Sequence, residues 1–162
     1  MNRDPKVPAD HTVAVNRRAR FSYEIEDSIE AGLALTGTEV KSARQGNVQI
    51  AEAYAKLEAG PKAGPEVWVH GMHIAPYEQG NVFNAEPRRK RKLLLRREQI
   101  NKLMTQVDRK GYTLVPLKFY FTRGKAKLEI GVGKGRQSHD KRAAITDRET
   151  KRDLRRAISE RR

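Results

Sequence analysis

The sequence predicts a mainly β domain, a small closed barrel of antiparallel strands, followed by a basic C-terminal tail. Three observations predict it. Apolar and polar residues alternate along several stretches, which is the period of a strand with one buried face. These stretches recur about every 8–12 residues with a helix inserted late, the spacing of small barrels. The alternation stops near residue 133, and residues 133–162 contain no aromatic side chain. A length of 162 residues fits one domain with an appendage.

Residues 1–16 carry two prolines, a few charges and no period, and read as a flexible arm. Phe21, Tyr23, Ile25, Ile29, Ala31, Leu33 and Leu35 then occupy odd positions, while Ser22, Glu24, Glu26, Ser28 and Glu30 occupy even ones. That predicts one long bent strand over residues 21–35, with Asp27 interrupting its apolar face and Gly32 marking a bulge. Thr38 is the expected cap of a short helix over residues 39–45, ended by Gly46. Residues 53–58 and 66–74 read as strands joined through AGPKAGP. Residues 75–87 form a long aperiodic connection, a kind of segment that often carries function.

Seven of the ten residues 88–97 are Lys or Arg. Ile100, Leu103, Met104 and Val107 recur at i, i+3, i+4 and i+7, which predicts a helix over residues 96–110, stopped at Gly111. Val115, Leu117, Phe119 and Phe121 alternate before a tight turn at residues 122–125, and Ala126, Leu128, Ile130 and Val132 alternate after it. These are the two strands of a hairpin. Residues 133–162 hold eleven Lys or Arg against five Asp or Glu, with Ile145, Leu154 and Ile158 as their large apolar side chains. Such a segment cannot bury a core and is expected to be disordered when free. Asp147 as an N-cap and the i, i+4 spacing of Leu154 and Ile158 let it become helical once a phosphate backbone neutralises its charge. The expected plan is an arm over residues 1–16, a barrel over 17–132 and a tail over 133–162.

Lys plus Arg total 34 against 20 Asp plus Glu, a formal net charge of +14, with a pI near 10.3. A surplus of this size concerns partners, RNA, DNA or an anionic membrane before acidic proteins. With no cysteine there is no disulfide framework, no thiolate zinc site and no Cys nucleophile, a usage compatible with a reducing cytoplasm. No run approaches the roughly 20 apolar residues of a membrane span, and residues 1–15 lack the apolar core of a secretory signal. A cytoplasmic location without a membrane partner is expected.

Catalytic patterns are missing. His70 and His73 stand three apart without a third ligand nearby, so no metal is expected. No G-x-S-x-G elbow occurs, and GVGKG at residues 131–135 lacks the spacing of a Walker loop. It reads as a strand end opening into the tail. No cofactor and no enzymatic activity are expected.

Three basic elements carry the positive case: Arg17, Arg18 and Arg20; Arg88, Arg89, Lys90, Arg91 and Lys92; and the tail. One alone reads as a solvated face. Three on a +14 chain with a small barrel point to nucleic acid. Tyr77 and Phe83, in the long connection, are open either to base stacking or to anchoring that connection. Few exposed aromatic side chains favour folded, helical RNA over a bare strand.

The runs NRRARFSYEIEDSIEAGLALTGTEVKSARQGN, HIAPYEQGN, EPRRKRKLLLRREQI, GYTLVPLKFYF and KLEIGVGKGRQSHDKR are specific enough to name a family. TGTEVKS, RKLLL and GKG…HDKR, in that order, are the strongest parts. On these the chain resembles the bacterial SsrA-binding protein (small protein B) family, over residues 16–142 and on into the tail. The resemblance implies a closed OB-fold-type barrel of about six strands with about three short helices, and no catalysis. It implies binding to the tRNA-like domain of transfer-messenger RNA and delivery of that RNA to stalled ribosomes for trans-translation. Elongation factor Tu with GTP and alanyl-tRNA synthetase are implied as indirect partners, through the RNA. The tail is implied to enter the small-subunit decoding site and the mRNA channel as a helix.

Carried over residue by residue, the resemblance places Glu30, Leu94 and Lys127 on the RNA face, and Lys125 stands beside Lys127. Gly135, His139, Asp140, Lys141 and Arg142 match the tail motif, with Lys134, Arg148, Lys151, Arg152, Arg155 and Arg156 as further tail positions. Glu30 and Lys127 lie on polar strand faces. A carboxylate there accepts hydrogen bonds from base amines or a 2′-hydroxyl, or it pairs with a neighbouring Arg. Leu94 either meets RNA or is buried at the helix entrance. Where some relatives have a His, this chain has Phe21, for which core packing is expected. The alternative function is a ribosomal protein or general RNA chaperone with broad RNA binding.

Overall fold

A computed structural model of the chain describes residues 11–62, 64–136 and 138–160. It is mainly β, a large antiparallel sheet with a few helices. Of the expected arm, residues 1–10 lie outside the described residues, and the rest departs from the expectation. His11–Val15 form strand β1, paired with the strand that contains Lys118 and Phe121. Val13 and Ala14 pack on the core, and the His11 ring stacks on Phe121 at 5.2 Å. Burial of this short apolar run overcomes the proline-rich lead-in.

Ala19–Ser22 form a short helix, α1, and β2 is Tyr23–Leu33. Phe21 therefore belongs to a helix and not to the strand whose phase it matches. Register shifts between Ile25 and Asp27, so the bulge stands there and not at Gly32. α2 is Gly37–Arg44, and its cap is Thr36, not Thr38. The Thr36 hydroxyl accepts from the Glu39 N–H at 3.4 Å, and the Glu39 carboxylate accepts from the Thr36 N–H at 3.0 Å. Glu at the third helical position makes this reciprocal pair available to Thr36 alone.

β3 (Val48–Gln49) pairs with β6 (His73–Ile74) as a small separate ladder. β4 (Tyr54–Ala59) and β5 (Pro65–His70) form the expected hairpin. The predicted strand over residues 66–74 breaks at Gly71, whose φ of 75° and 2.9 Å gap between an ideal Cβ and the Glu52 carbonyl oxygen admit no side chain without strain. β7 (Arg91–Leu94) lies inside the basic run, where no strand was expected. α3 is Arg97–Val107. β8 (Tyr112–Thr122) and β9 (Lys125–Gly135) form the second hairpin, turned by Arg123 and Gly124, both at positive φ. β9 extends through Gly135, so the expected tail boundary at residue 133 falls inside a strand. α4, Ser138–Glu160, follows.

The antiparallel pairings run β4–β5–β7–β2–β9–β8, and β8 returns to β4 through the single pair Ala55 and Leu114. β1 lies outside this run, on β8. The core includes Leu33, Val67, Val69, Leu93, Phe119, Leu128 and Ile130, together with Ile100 and Leu103 of α3. Phe119, Leu128 and Ile130 are completely buried. Gly131 and Gly133 of GVGKG pack against a second, smaller cluster of Ala19, Val115 and Leu117 with Tyr23 and Ile25. An ideal Cβ on Gly131 would lie 2.9 Å from Leu117, and one on Gly133 would lie 2.8 Å from Ile25. Among the described residues no helix is long and apolar enough to cross a membrane.

Candidate nucleic-acid interface

On β2 the even positions Glu24, Glu26, Ser28 and Glu30 are exposed, as strand alternation requires. The register sets Gly32 opposite Lys127 of β9 and Lys127 opposite Tyr120 of β8. The Tyr120 hydroxyl therefore donates to the Glu30 carboxylate, and the Lys127 Nζ lies 3.8 Å from it. Partial burial and the neighbouring Glu30 carboxylate both push the Tyr120 phenol well above its ordinary value. The partners of Glu30 are thus Lys127 and Tyr120, and the alternative of a neighbouring Arg is not among them.

Leu93 fills the core, which turns Leu94 outward at 54% exposure. Burial at the helix entrance is excluded for Leu94. Glu30, Lys127, Leu94 and Lys92 line one groove of about 690 Å³, together with Lys62, Arg96, Arg97 and Gln99. Cations and amides there can meet phosphates and base edges, and Leu94 offers an apolar face among them. Lys125 is exposed at the start of β9, at the turn.

The run at residues 88–92 differs from expectation. Arg91, expected among the RNA-facing cations, is completely buried. Its Nε lies 2.6 Å from the Glu39 carboxylate, and its guanidinium also donates to the carbonyls of Met72 at 2.6 Å, Pro87 at 2.9 Å and Arg89 at 3.2 Å. An Arg in an inward strand slot needs such a full set of acceptors. Burial pushes the Glu39 carboxyl up, but hydrogen bonds from Arg89, the Thr36 N–H and Arg91 outweigh it and hold Glu39 below its usual value. The neighbouring cations are also matched. Arg89 pairs with Glu39, Arg88 stands 3.8 Å from Glu52, Lys90 2.8 Å from Glu58 and Lys92 3.2 Å from Glu66.

Arg17, Arg18 and Arg20 are exposed around α1. Arg20 and Phe21 line a cleft of about 540 Å³ opposite Arg148, Lys151, Arg152 and Arg155 of α4, with Arg136 and Asp147. Phe21 is half-buried at this cleft, so the expected role in the core does not hold. Lys134, Gly135, Arg142 and Arg156 are exposed. The side chains of His139, Asp140 and Lys141 lie outside the described residues.

In the long connection Tyr77 is buried, and Asn84 bridges its backbone N–H and carbonyl at 2.9 Å each, so Tyr77 is the anchor. Phe83 is 80% exposed and open. His70 contacts Glu58 at 2.7 Å and stacks on Tyr54, a structural role. Among the described residues no three His, Asp or Glu side chains gather where they could hold a metal ion.

A family model described as SmpB protein matches residues 13–160. The chain belongs to the SmpB family. An SsrA-binding protein of Acetivibrio thermocellus is 51% identical over 148 residues, covering 91% of this chain and 93% of that one. One of Mesorhizobium japonicum is 52% identical over 155 residues, covering 95% and 94%. A solved structure described as "tmRNA-SmpB: a journey to the center of the bacterial ribosome" is 48% identical, has a TM-score of 0.62, and covers 77% of this chain and 85% of its own.

The SmpB span takes in both the groove and α4. Lys62, Gln99 and Tyr120 are groove or groove-supporting residues that sequence reasoning missed. Lys62 sits in the AGPKAGP loop, which carries no family signal, and it reaches the groove because β5 pairs with β7. Tyr120 reads as a strand aromatic, and the pairing of β8 with β9 places it beside Lys127. Arg96 and Arg97 were visible within the run of seven cations.

Proposed function

We propose that this SmpB-family chain is a non-catalytic RNA-binding protein. It binds the tRNA-like domain of transfer-messenger RNA and delivers it to stalled ribosomes for trans-translation. The observation that carries this reading is the convergence of Glu30, Leu94 and Lys127 in one groove. They come from three strands, and the family resemblance assigns all three to RNA. Relatives called SsrA-binding proteins, and a neighbour whose description names tmRNA-SmpB and the bacterial ribosome, support it.

In this reading Lys127, Lys92 and Arg96 neutralise phosphates. Glu30, held by Tyr120, accepts from a base amine or a 2′-hydroxyl. Leu94 packs against a sugar or base face. Elongation factor Tu with GTP and alanyl-tRNA synthetase act on the RNA, and the setting is the cytoplasm. The run of pairings from β4 back to β4 supports a closed OB-fold-type barrel as the platform.

The tail reading gives residues 133–162 to the decoding site and mRNA channel, disordered when free and helical there. Its described side chains from residue 145 onward are all exposed, which supports a segment that gains its packing from a partner. Two measurements test the proposal. Pull-down of cellular RNA is expected to enrich one alanylatable tRNA-like species, whereas a broad ribosomal mixture overturns it in favour of a general chaperone. Truncation after Arg136 is expected to change affinity for the tRNA-like RNA less than about twofold while abolishing peptide tagging on stalled ribosomes.

A further inference from the structure

Tyr120, Lys127 and Glu30 come from β8, β9 and β2, three neighbouring strands, and meet on one outer face. The Tyr120 hydroxyl takes Oε2 of Glu30, and the Lys118 ammonium lies 4.9 Å from the centre of the Tyr120 ring. The Lys127 Nζ stands 3.8 Å from the other carboxylate oxygen, Oε1. That is an ion pair, yet it is too long for a hydrogen bond. The Glu30 side chain also keeps 51% of its surface exposed. Oε1 and the ammonium therefore both have bonding capacity left at the groove. Beside them β2 carries Gly32, where an ideal Cβ would lie 3.2 Å from the Leu94 Cβ. The missing side chain lets Leu94 lie close against the strand and leaves the groove open next to Glu30.

We propose that Tyr120 is a positioning residue, which holds Glu30 so that Glu30 and Lys127 together grip one ribose 2′-hydroxyl. This deepens the proposed function and rests on its assignment of RNA to this groove. An acceptor and a donor 3.8 Å apart suit a single atom that donates to one and accepts from the other. A phosphate oxygen only accepts, and Glu30 repels it. A base amine only donates, and in helical RNA it is tied up in pairing. A 2′-hydroxyl does both, and it lines the shallow minor groove of an RNA helix. An oxygen about 2.8 Å from each group fits the gap. The ammonium has three N–H groups, so Lys127 meets a phosphate at the same time. Leu94 packs on the apolar face of the same sugar. Burial, the hydrogen bond to Glu30 and the Glu30 charge hold the Tyr120 phenol protonated, so it stays a donor. Without that donor Glu30 swings onto Lys127, and the direct salt bridge closes the slot. DNA lacks the hydroxyl, so this contact selects RNA.

The test is a single-position 2′-deoxy scan of the tRNA-like RNA, bound to the full chain and read by fluorescence anisotropy. In the wild type one deoxy position is expected to cost about fivefold or more in affinity, the effect of a lost hydrogen bond to a charged group. Tyr120→Phe is expected to bind the all-ribose RNA about fivefold more weakly and to show no penalty at that position. Its salt slope should stay at the wild-type value, because no phosphate contact is removed. A urea midpoint within about 0.5 M of wild type separates positioning from unfolding. Glu30→Ala is expected to lose the same penalty, and it decides the matter if Tyr120→Phe does not fold. A wild type with no sensitive ribose overturns the proposal, as does a full penalty that survives in Tyr120→Phe. Inosine in place of one guanine removes a base amine. If that change costs affinity in the wild type and not in Tyr120→Phe, the ribose assignment is overturned in favour of a base. If the wild-type protein does not prefer the tRNA-like RNA to an unrelated hairpin, the proposed function fails, while the same scan on that hairpin still decides the role of Tyr120.

Discussion

In residues 88–92 every cation meets a carboxylate, while across the α1–α4 cleft six cations share a space with Asp147 alone. The two regions look alike in sequence, both dense in Lys and Arg. They differ in where the acidic residues arrive. Glu39, Glu52, Glu58 and Glu66 come from α2, the β4 approach, β4 and β5, and the sheet pairings bring each beside the basic run. No strand delivers acid to the cleft. Buried Arg91 holds the fold together, whereas Lys92 and Lys127 keep part of their ammonium groups open at the groove beside their carboxylates. Net charge therefore points to a partner class, and burial decides which cations are left to meet it.

The sharpest way to break this contrast is at Arg91. Arg91→Ala leaves buried Glu39 with one of its two cations and empties four acceptor contacts. A loss of about 3–5 kcal/mol is expected in urea unfolding, in line with other broken buried pairs. RNA affinity of the folded fraction should hold. Weakened RNA binding at intact stability would return Arg91 to the interface.

Lys127→Glu comes next. It sets a carboxylate beside Glu30 and removes a phosphate contact. A loss of about tenfold in tRNA-like RNA affinity at low salt is expected, with a salt slope shallower by about 0.7–0.9. Unchanged affinity in a salt titration would remove Lys127 from the interface.

Acid tests the matched region as a whole. The folded pKa of Glu39 lies below its unfolded value of about 4.5, so its contribution is fully present above pH 4.5 and is lost as pH falls further. Thermal unfolding should show stability dropping below that pH, with a shallower drop in Glu39→Gln. The same acid limb in the variant would remove Glu39 as its source.

The smallest effect belongs to Arg88→Ala, whose pair with Glu52 is exposed on both sides. Less than about 0.5 kcal/mol in unfolding is expected. A larger cost would mean that surface pairs here act as a network.

Much of this was legible because a strand with one buried face writes its period into the chain. β2, β8 and β9 show the alternation plainly, and it carries Glu30 and Lys127 to the outer face. β7 was hidden because Arg91 fills an apolar slot, which turns an alternating RKLL into a basic run. The cap at Thr36 was masked by a second threonine two residues on, and α1 by a Phe21 that fits the strand phase. At the groove, Leu94 became an outward residue only through the pairing of Leu93 with Val67 and Leu33. The stripe on α4 was readable at helical spacing, but its apposition to Arg20 arises from tertiary placement that no local pattern encodes.

The return from β8 to β4 passes through one residue pair, Ala55 with Leu114, whereas β8 and β9 pair from Tyr112 to Thr122 with one register shift after Pro116. A fabric sewn this unevenly parts at its shortest stitch. Backbone amides flanking Ala55 and Leu114 should trade hydrogen with solvent sooner than those of the long hairpin, which gives the molecule a built-in place to breathe when RNA presses on the sheet.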